Sequence, residues 1–318
     1  MQITYLLLVH KSPLQMKRLV ESLQYEDTCF CIHVDRKSDI NTFKEVVPQG
    51  DGVYYVDDNN RVDGRWGDLS MVEAAFETMK LALSLNRKGH FVLLSGQDYP
   101  LRSNKYIKEY LSQHERNNFI SIYGVPDPKK ASEKGGYERF ITWTYDCHNP
   151  KDGRMKAKIQ PLSFRLKTIG GFIRLALYRP TLLPEAIAHW FKKRHYPEGL
   201  AMVFNEFWCV FTKEVVEKLL QIYNERKDVR EYYRFTHIPD ETLFGSILCS
   251  DKKSRDSILP MCHYIDWDVS INGSPKTLQE EDMVKMEMAM NKNPHILFAR
   301  KFDEGSQILD IIDDYRKQ

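Results

Sequence analysis

The chain has six cysteines in 318 residues, and no two of them form a CxxC pair. Cys29, Cys31, Cys147, Cys209, Cys249 and Cys262 show no zinc-ligand spacing, which excludes a zinc finger or ribbon. They are expected to be reduced core thiols, as in a cytosolic protein. Cys29 and Cys31 stand two apart and would share one face of a strand. Long apolar runs are also missing. The run Ile3–Val9 is far too short to span a bilayer and lacks the basic flank and cleavage site of a signal peptide, so it reads as a buried strand. The sequence contains no Walker P-loop, no GxGxxG after its first strand, no GxSxG and no HExxH. Those absences argue against P-loop NTPases, Rossmann dehydrogenases or methyltransferases, α/β-hydrolases and zincins. His10, His33 and His237 each lie near a strand end and are expected to be hydrogen-bonded structural histidines. No Asp-X-Asp follows an early strand; the one such fragment, Asp266-Trp267-Asp268, comes late.

What is present is an alternation. At 42% hydrophobic and 28% charged the composition is that of a globular protein, and the length allows a sizeable core. Aliphatic runs at Ile3–Val9, 29–34, 53–56 and 90–95 alternate with helical spacing at 14–23, 71–83 and from Asn104 onward. The pattern predicts a Rossmann-like α/β fold, with a mainly parallel central sheet flanked by helices. In such sheets ligands sit beyond the carboxyl ends of the strands, which singles out His10, Asp35 and the turn 95–98. Between about 126 and 199 the periodicity fades, and we read a basic insertion in a single domain spanning 1–318. The net charge of +2 hides its asymmetry. Eleven Lys or Arg against two Asp or Glu give 151–194 a charge of +9, leaving −7 for the remainder. Apolar residues interrupt that segment. It is either a solvated insertion packed on the body or an attachment to an anionic membrane face or a lipid-linked substrate.

Seven stretches occur in a telling order: "YLLLVHKSPLQMKRLVESL", "CIHVDRKS", "VDGRWGDLSMVEAAF", "FVLLSGQDYPLRSN", "FWCVFTKEVVEKL", "IPDETLFGSIL" and "NPHILFARKFD". In this order the chain resembles the core-2/I-branching β-1,6-N-acetylglucosaminyltransferase family, which includes the peptide O-xylosyltransferases. The resemblance runs from Tyr5 to Asp303 and misses mainly the basic insertion. It implies a GT-A type fold and an inverting transferase that uses a nucleotide-sugar donor without a metal or other cofactor.

The resemblance makes Glu241, the glutamate of Pro-Asp-Glu, the general base. An inverting displacement needs one carboxylate within reach of the acceptor hydroxyl, whereas a retaining one also needs a nucleophile. A place in the first turn of a helix would keep Glu241 ionised, with Asp240 as the helix cap. The departing diphosphate must then be met by fixed cations. By resemblance these are Lys301 and a second basic residue, either Lys276 of "GSPKTL" or Arg300. If the FARKF run is extended, Arg300 and Lys301 point to opposite faces. The resemblance places Val9 and Asp35 near the base and ribose. Arg65 and Trp66 stand just before a helix where the donor could also approach, though Trp66 could equally be a packing residue. Asp98 orients the sugar or shapes a turn. Trp208 and Trp267 are acceptor-stacking candidates or core tryptophans.

The expectation is therefore a UDP-sugar glycosyltransferase moving GlcNAc, xylose or another hexose to a glycan or lipid-linked glycan. It would be a bacterial relative at work in surface polysaccharide or other glycan synthesis, cytoplasmic or at the inner face of a membrane. No nucleic-acid partner is expected. The rival is a non-catalytic nucleotide-sugar or glycan-binding module on the same fold, which would have no need of a base such as Glu241.

Overall fold

The computed structural model describes residues 1–128, 134–148, 154–268 and 274–317. Four aliphatic runs form the parallel part of a seven-stranded sheet: β1 (Ile3–Val9), β2 (Thr28–Val34), β3 (Val53–Tyr55) and β4 (His90–Ser95). β1 pairs in parallel with β2 and with β4, and β2 with β3, so the order is β4-β1-β2-β3. Beyond β4 the sheet becomes mixed. Val210–Thr212 runs antiparallel to β4 and to Asn118–Phe119, and Ile258–Leu259 closes that edge in parallel.

The pleat of β1 explains the layers on either side. Ile3, Tyr5, Leu7 and Val9 enter one core, shared with the helices Pro13–Leu23, Met283–Lys292 and Ile308–Arg316. Leu6 and Leu8 enter the other, beneath Ser70–Ser84, Lys213–Glu225 and Leu243–Leu248. Both faces are covered, as a parallel sheet requires. Cys29 and Cys31 lie in the second core as free thiols, on one face as their spacing demands. A smaller three-stranded sheet joins His263–Ile265, Phe298–Arg300 and Asp98–Pro100, bringing the C-terminal FARKF run beside the turn after β4.

Where the periodicity fades, the chain nevertheless folds regularly. A hairpin, Trp143–Asp146 with Lys156–Ile159, is covered by the helices Leu166–Tyr178 and Leu183–Trp190. Tyr145, Cys147, Ile159, Leu175 and Ala186 form its own small core. The signal was hidden because Leu166–Tyr178 inverts the usual pattern, burying Thr168, Gly171 and Leu175 while Leu166, Ile173 and Leu177 stand exposed. Arg194 ties this unit to the body. It is buried, donating from Nη1 to the carbonyls of Arg139 (2.9 Å) and Thr142 (2.7 Å), and from Nη2 to the Tyr232 carbonyl and Thr236 Oγ1 (both 2.6 Å). It is a structural strut, not a surface cation. Among the described residues no helix is long and apolar enough to cross a membrane.

Candidate active site

Strand order reverses beside β1, with β2 on one side and β4 on the other, so the segments leaving β1 and β4 diverge and leave a crevice. A cleft of about 510 Å³ opens there, within the usual range for small-molecule sites. Val9 ends β1 and His10 follows it, Asp35 follows β2, and Ser95 ends β4 with Gln97 just beyond; all five line it. Trp66, Trp208, Arg154, Arg300 and Lys301 complete much of the wall.

The Asp35 carboxylate is held by the backbone on both oxygens. Oδ1 accepts from the Lys37 amide and Oδ2 from the Gly64 amide, each at 2.9 Å. A Cβ at residue 64 would sit 2.8 Å from that Oδ2, so only glycine lets the loop close on the carboxylate. His33 accepts from the Val62 amide at its Nε2 (2.8 Å), and burial lowers its pKa to about 4. It is thus a neutral, structural histidine, as expected. His237 is neutral too, its pKa held by burial far below the ordinary value, but its buried Nδ1 has no hydrogen-bond partner among the described residues.

Asp98 is fully buried and absent from the cleft wall. Its Oδ2 accepts from the Ser95 amide (2.5 Å) and its Oδ1 lies 3.2 Å from Arg300 Nη1. Burial raises its pKa to about 6, against the opposing charge of Arg300. Asp98 therefore positions Arg300, whose guanidinium also lies 4.2 Å from the centre of the Trp208 ring. Trp208 is a cleft residue with one face occupied by that cation.

Lys301 follows on from Arg300 and also lines the cleft. Among the described residues its ammonium makes no hydrogen bond or ion pair. Burial first, then the charges of Arg300, Lys11 and Arg154, lower its pKa, against a raising contribution from Asp303. A basic group surrounded by like charges at a pocket wall is arranged for an anion. Arg154 comes from the insertion: its guanidinium lies 4.9 Å from the centre of the Trp66 ring, and Nη2 donates to Ser274 Oγ (3.2 Å).

The remaining candidates lie elsewhere. Lys276 pairs with Asp282 (2.7 Å), which raises its pKa, while the cleft wall is built by its neighbours Ser274 and Pro275. Arg65 pairs with Asp63 (2.6 Å) and Asp146 (3.6 Å), outside the cleft, whereas the next residue, Trp66, turns into it. Trp267 is 45% exposed and is not a core residue.

The acidic pair lies behind Trp66. The His237 ring meets Trp66 edge-on at 5.8 Å, and the Ile238 amide donates to the Gly67 carbonyl (3.1 Å), which ties the Pro-Asp-Glu turn to the loop carrying Trp66. Gly67 has φ +76°, which a side chain would resist. Pro239–Glu241 is a 3-10 turn, and the short helix Leu243–Leu248 begins only after Thr242. Glu241 is thus not in the first turn of an α-helix; its Oε2 accepts from Arg139 Nη1 at 2.6 Å. Nor does Asp240 cap a helix, since neither element has a side-chain cap. Its Oδ1 is buried without a hydrogen-bond partner among the described residues, and burial followed by the Glu241 charge raises its pKa to about 7.

Arg139 and Arg154 escaped the sequence reading because both sit where no period was visible. The +9 count for 151–194 already held Arg154, without distinguishing it from surface charge. Among the described residues no group of three or more His, Cys, Asp or Glu is arranged to hold a metal ion.

A family model described as "Core-2/I-Branching enzyme" matches residues 3–290. Xylosyltransferase 2 of Rattus norvegicus is 25% identical over 342 residues, covering 98% of this chain and 33% of that protein. The Homo sapiens xylosyltransferase 2 is 25% identical over 341 residues with the same coverage. The chain spans about a third of the length of these curated relatives. The solved apo structure of mouse xyloside xylosyltransferase 1 is 14% identical, covering 83% of this chain and 89% of that one, at a TM-score of 0.32 that carries no argument.

Proposed function

The chain belongs to the Core-2/I-Branching enzyme family, a family of glycosyltransferases, and from that premise we propose a metal-independent, inverting transfer from a UDP-sugar to a glycan hydroxyl. The observation that carries this reading is Lys301, a cation without a partner among the described residues, beside Arg300 and Arg154 at the strand-order switch. A leaving diphosphate gains negative charge as the glycosidic bond breaks, and cations already in place stabilise it without reorganising. Arg300 is the better second cation because it faces the cleft while Lys276 is paired with Asp282.

The acceptor oxygen attacks the anomeric carbon as the bond to the β-phosphate oxygen breaks, and the UDP leaves with that electron pair. The acceptor proton passes to the Glu241 carboxylate. Arg139 orients this carboxylate by donating to its Oε2. Asp35 retains acceptor capacity for a ribose hydroxyl or the uracil N–H, since a carboxylate offers about four lone-pair sites. Val9 would meet the same nucleoside.

A screen of UDP-sugars in EDTA tests the proposal. Relatives named xylosyltransferases put UDP-xylose first, then UDP-GlcNAc and other UDP-hexoses. Transfer or slow hydrolysis of one donor in chelator is expected. Turnover of none, or only with added Mn²⁺, would overturn metal independence.

A further inference from the structure

The helix Leu166–Tyr178 presents an unusual outward face. Thr168, Gly171 and Leu175 turn inward and are buried. On the opposite side stand Leu166, Ile169, Gly170, Ile173 and Leu177, with exposed Arg174 beside them. Leu166 is 86% exposed and Leu177 72%. Leu162 and Phe164 just before the helix, and Ile187 and Phe191 on the next one, extend the apolar surface, all of them exposed. A soluble protein rarely leaves so many large apolar side chains together in water without a use for them.

The charges around this ridge have one sign. Arg154, Lys156 and Arg194 are used internally, in the cleft, beside Asp146 and in the strut. Arg165, Lys167, Arg174, Lys192 and Lys193 remain exposed, and Glu185 is the only acidic residue from 154 to 194. Large apolar side chains ringed by cations complement the acyl and headgroup layers of an anionic bilayer. An apolar ridge alone would fit a second copy equally well; the five exposed cations would repel it.

We propose that this face docks the protein on anionic lipid, with Leu166, Ile173 and Leu177 entering the acyl boundary and Lys192 and Lys193 meeting headgroups. The same unit contributes Arg154 to the cleft, so docking would hold the candidate active site at a fixed distance from the membrane. The docking itself does not depend on the glycosyltransferase reading.

Co-sedimentation of the full chain with vesicles tests it, using phosphatidylcholine alone and phosphatidylcholine with phosphatidylglycerol. Binding is expected only with the anionic lipid, falling steeply as salt shortens the screening length to about 8 Å at 0.15 M. Lys192→Gln with Lys193→Gln should weaken it by about fivefold per charge. Ile173→Asp with Leu177→Asp should abolish it with an unchanged circular dichroism spectrum, because both residues are exposed. Absence of binding to anionic vesicles at low salt would overturn the proposal. So would full binding by the Asp variant, or a concentration-dependent dimer dissolved by it in a protein that ignores vesicles.

Discussion

The cleft is walled by two regions of different character. One wall is the sheet: Val9, Asp35 and Ser95 at strand ends, with Arg300 locked by buried Asp98. The other is the insertion, which supplies Arg154 over Trp66 and reaches Glu241 through Arg139. The sheet wall is fixed by backbone pairing and buried charge. The insertion wall hangs on one small core and the Arg194 strut. This division suggests that donor binding rests mainly on the sheet wall, while Glu241, which does not line the cleft itself, is tied to Trp66 of its wall through His237 and the Ile238–Gly67 hydrogen bond.

The largest effect expected is from Glu241→Gln. Transfer should fall about 10²–10⁴-fold while UDP affinity stays nearly constant, because the amide cannot take the proton. Activity within a few-fold of wild type would dismiss Glu241 as base. On the sheet side, Lys301→Ala should weaken UDP binding about ten- to a hundredfold in calorimetry, the worth of a charge-assisted hydrogen bond. Arg154→Ala, its counterpart on the insertion, should cost only a few-fold, since its guanidinium is already engaged with the Trp66 ring and Ser274 Oγ. An equal loss for both variants would erase the distinction between the walls.

The smallest effect concerns pH at the junction. Asp240, raised to about 7 in the fold from an ordinary 3.8, binds a proton more tightly folded than unfolded. Its contribution is therefore complete in acid and is lost as pH rises through about 7. Asp240→Asn should flatten that decline in urea denaturation series at several pH values. An unchanged slope would mean that Asp240 is ionised at neutral pH.

The sheet wall was legible because each strand is a short aliphatic run between turn signals, and because chemistry in such folds gathers where those runs end. Ile3–Val9 and Pro13–Leu23 differ from their expected bounds by at most one residue. The FARKF run was legible as a motif, but only three-dimensional pairing shows that Asp98 serves Arg300 and not the cleft directly. The helix expected at Pro-Asp-Glu was misread because the turn stops at Thr242 before the helix starts, and Arg139 is the group that donates to Glu241. The insertion was illegible because its main helix turns Thr168 and Gly171 inward and leaves Leu166, Ile173 and Leu177 exposed, the reverse of the pattern that marks a core-facing helix.

On this reading, side-chain cations at the strand-order switch bind the diphosphate. Calorimetric titration of UDP into the wild-type chain in EDTA, repeated with Mn²⁺, tests it most directly. Saturable one-site binding is expected in EDTA, unchanged by the metal and weakened by Lys301→Ala. Binding that appears only with Mn²⁺, or that ignores Lys301→Ala, would contradict it.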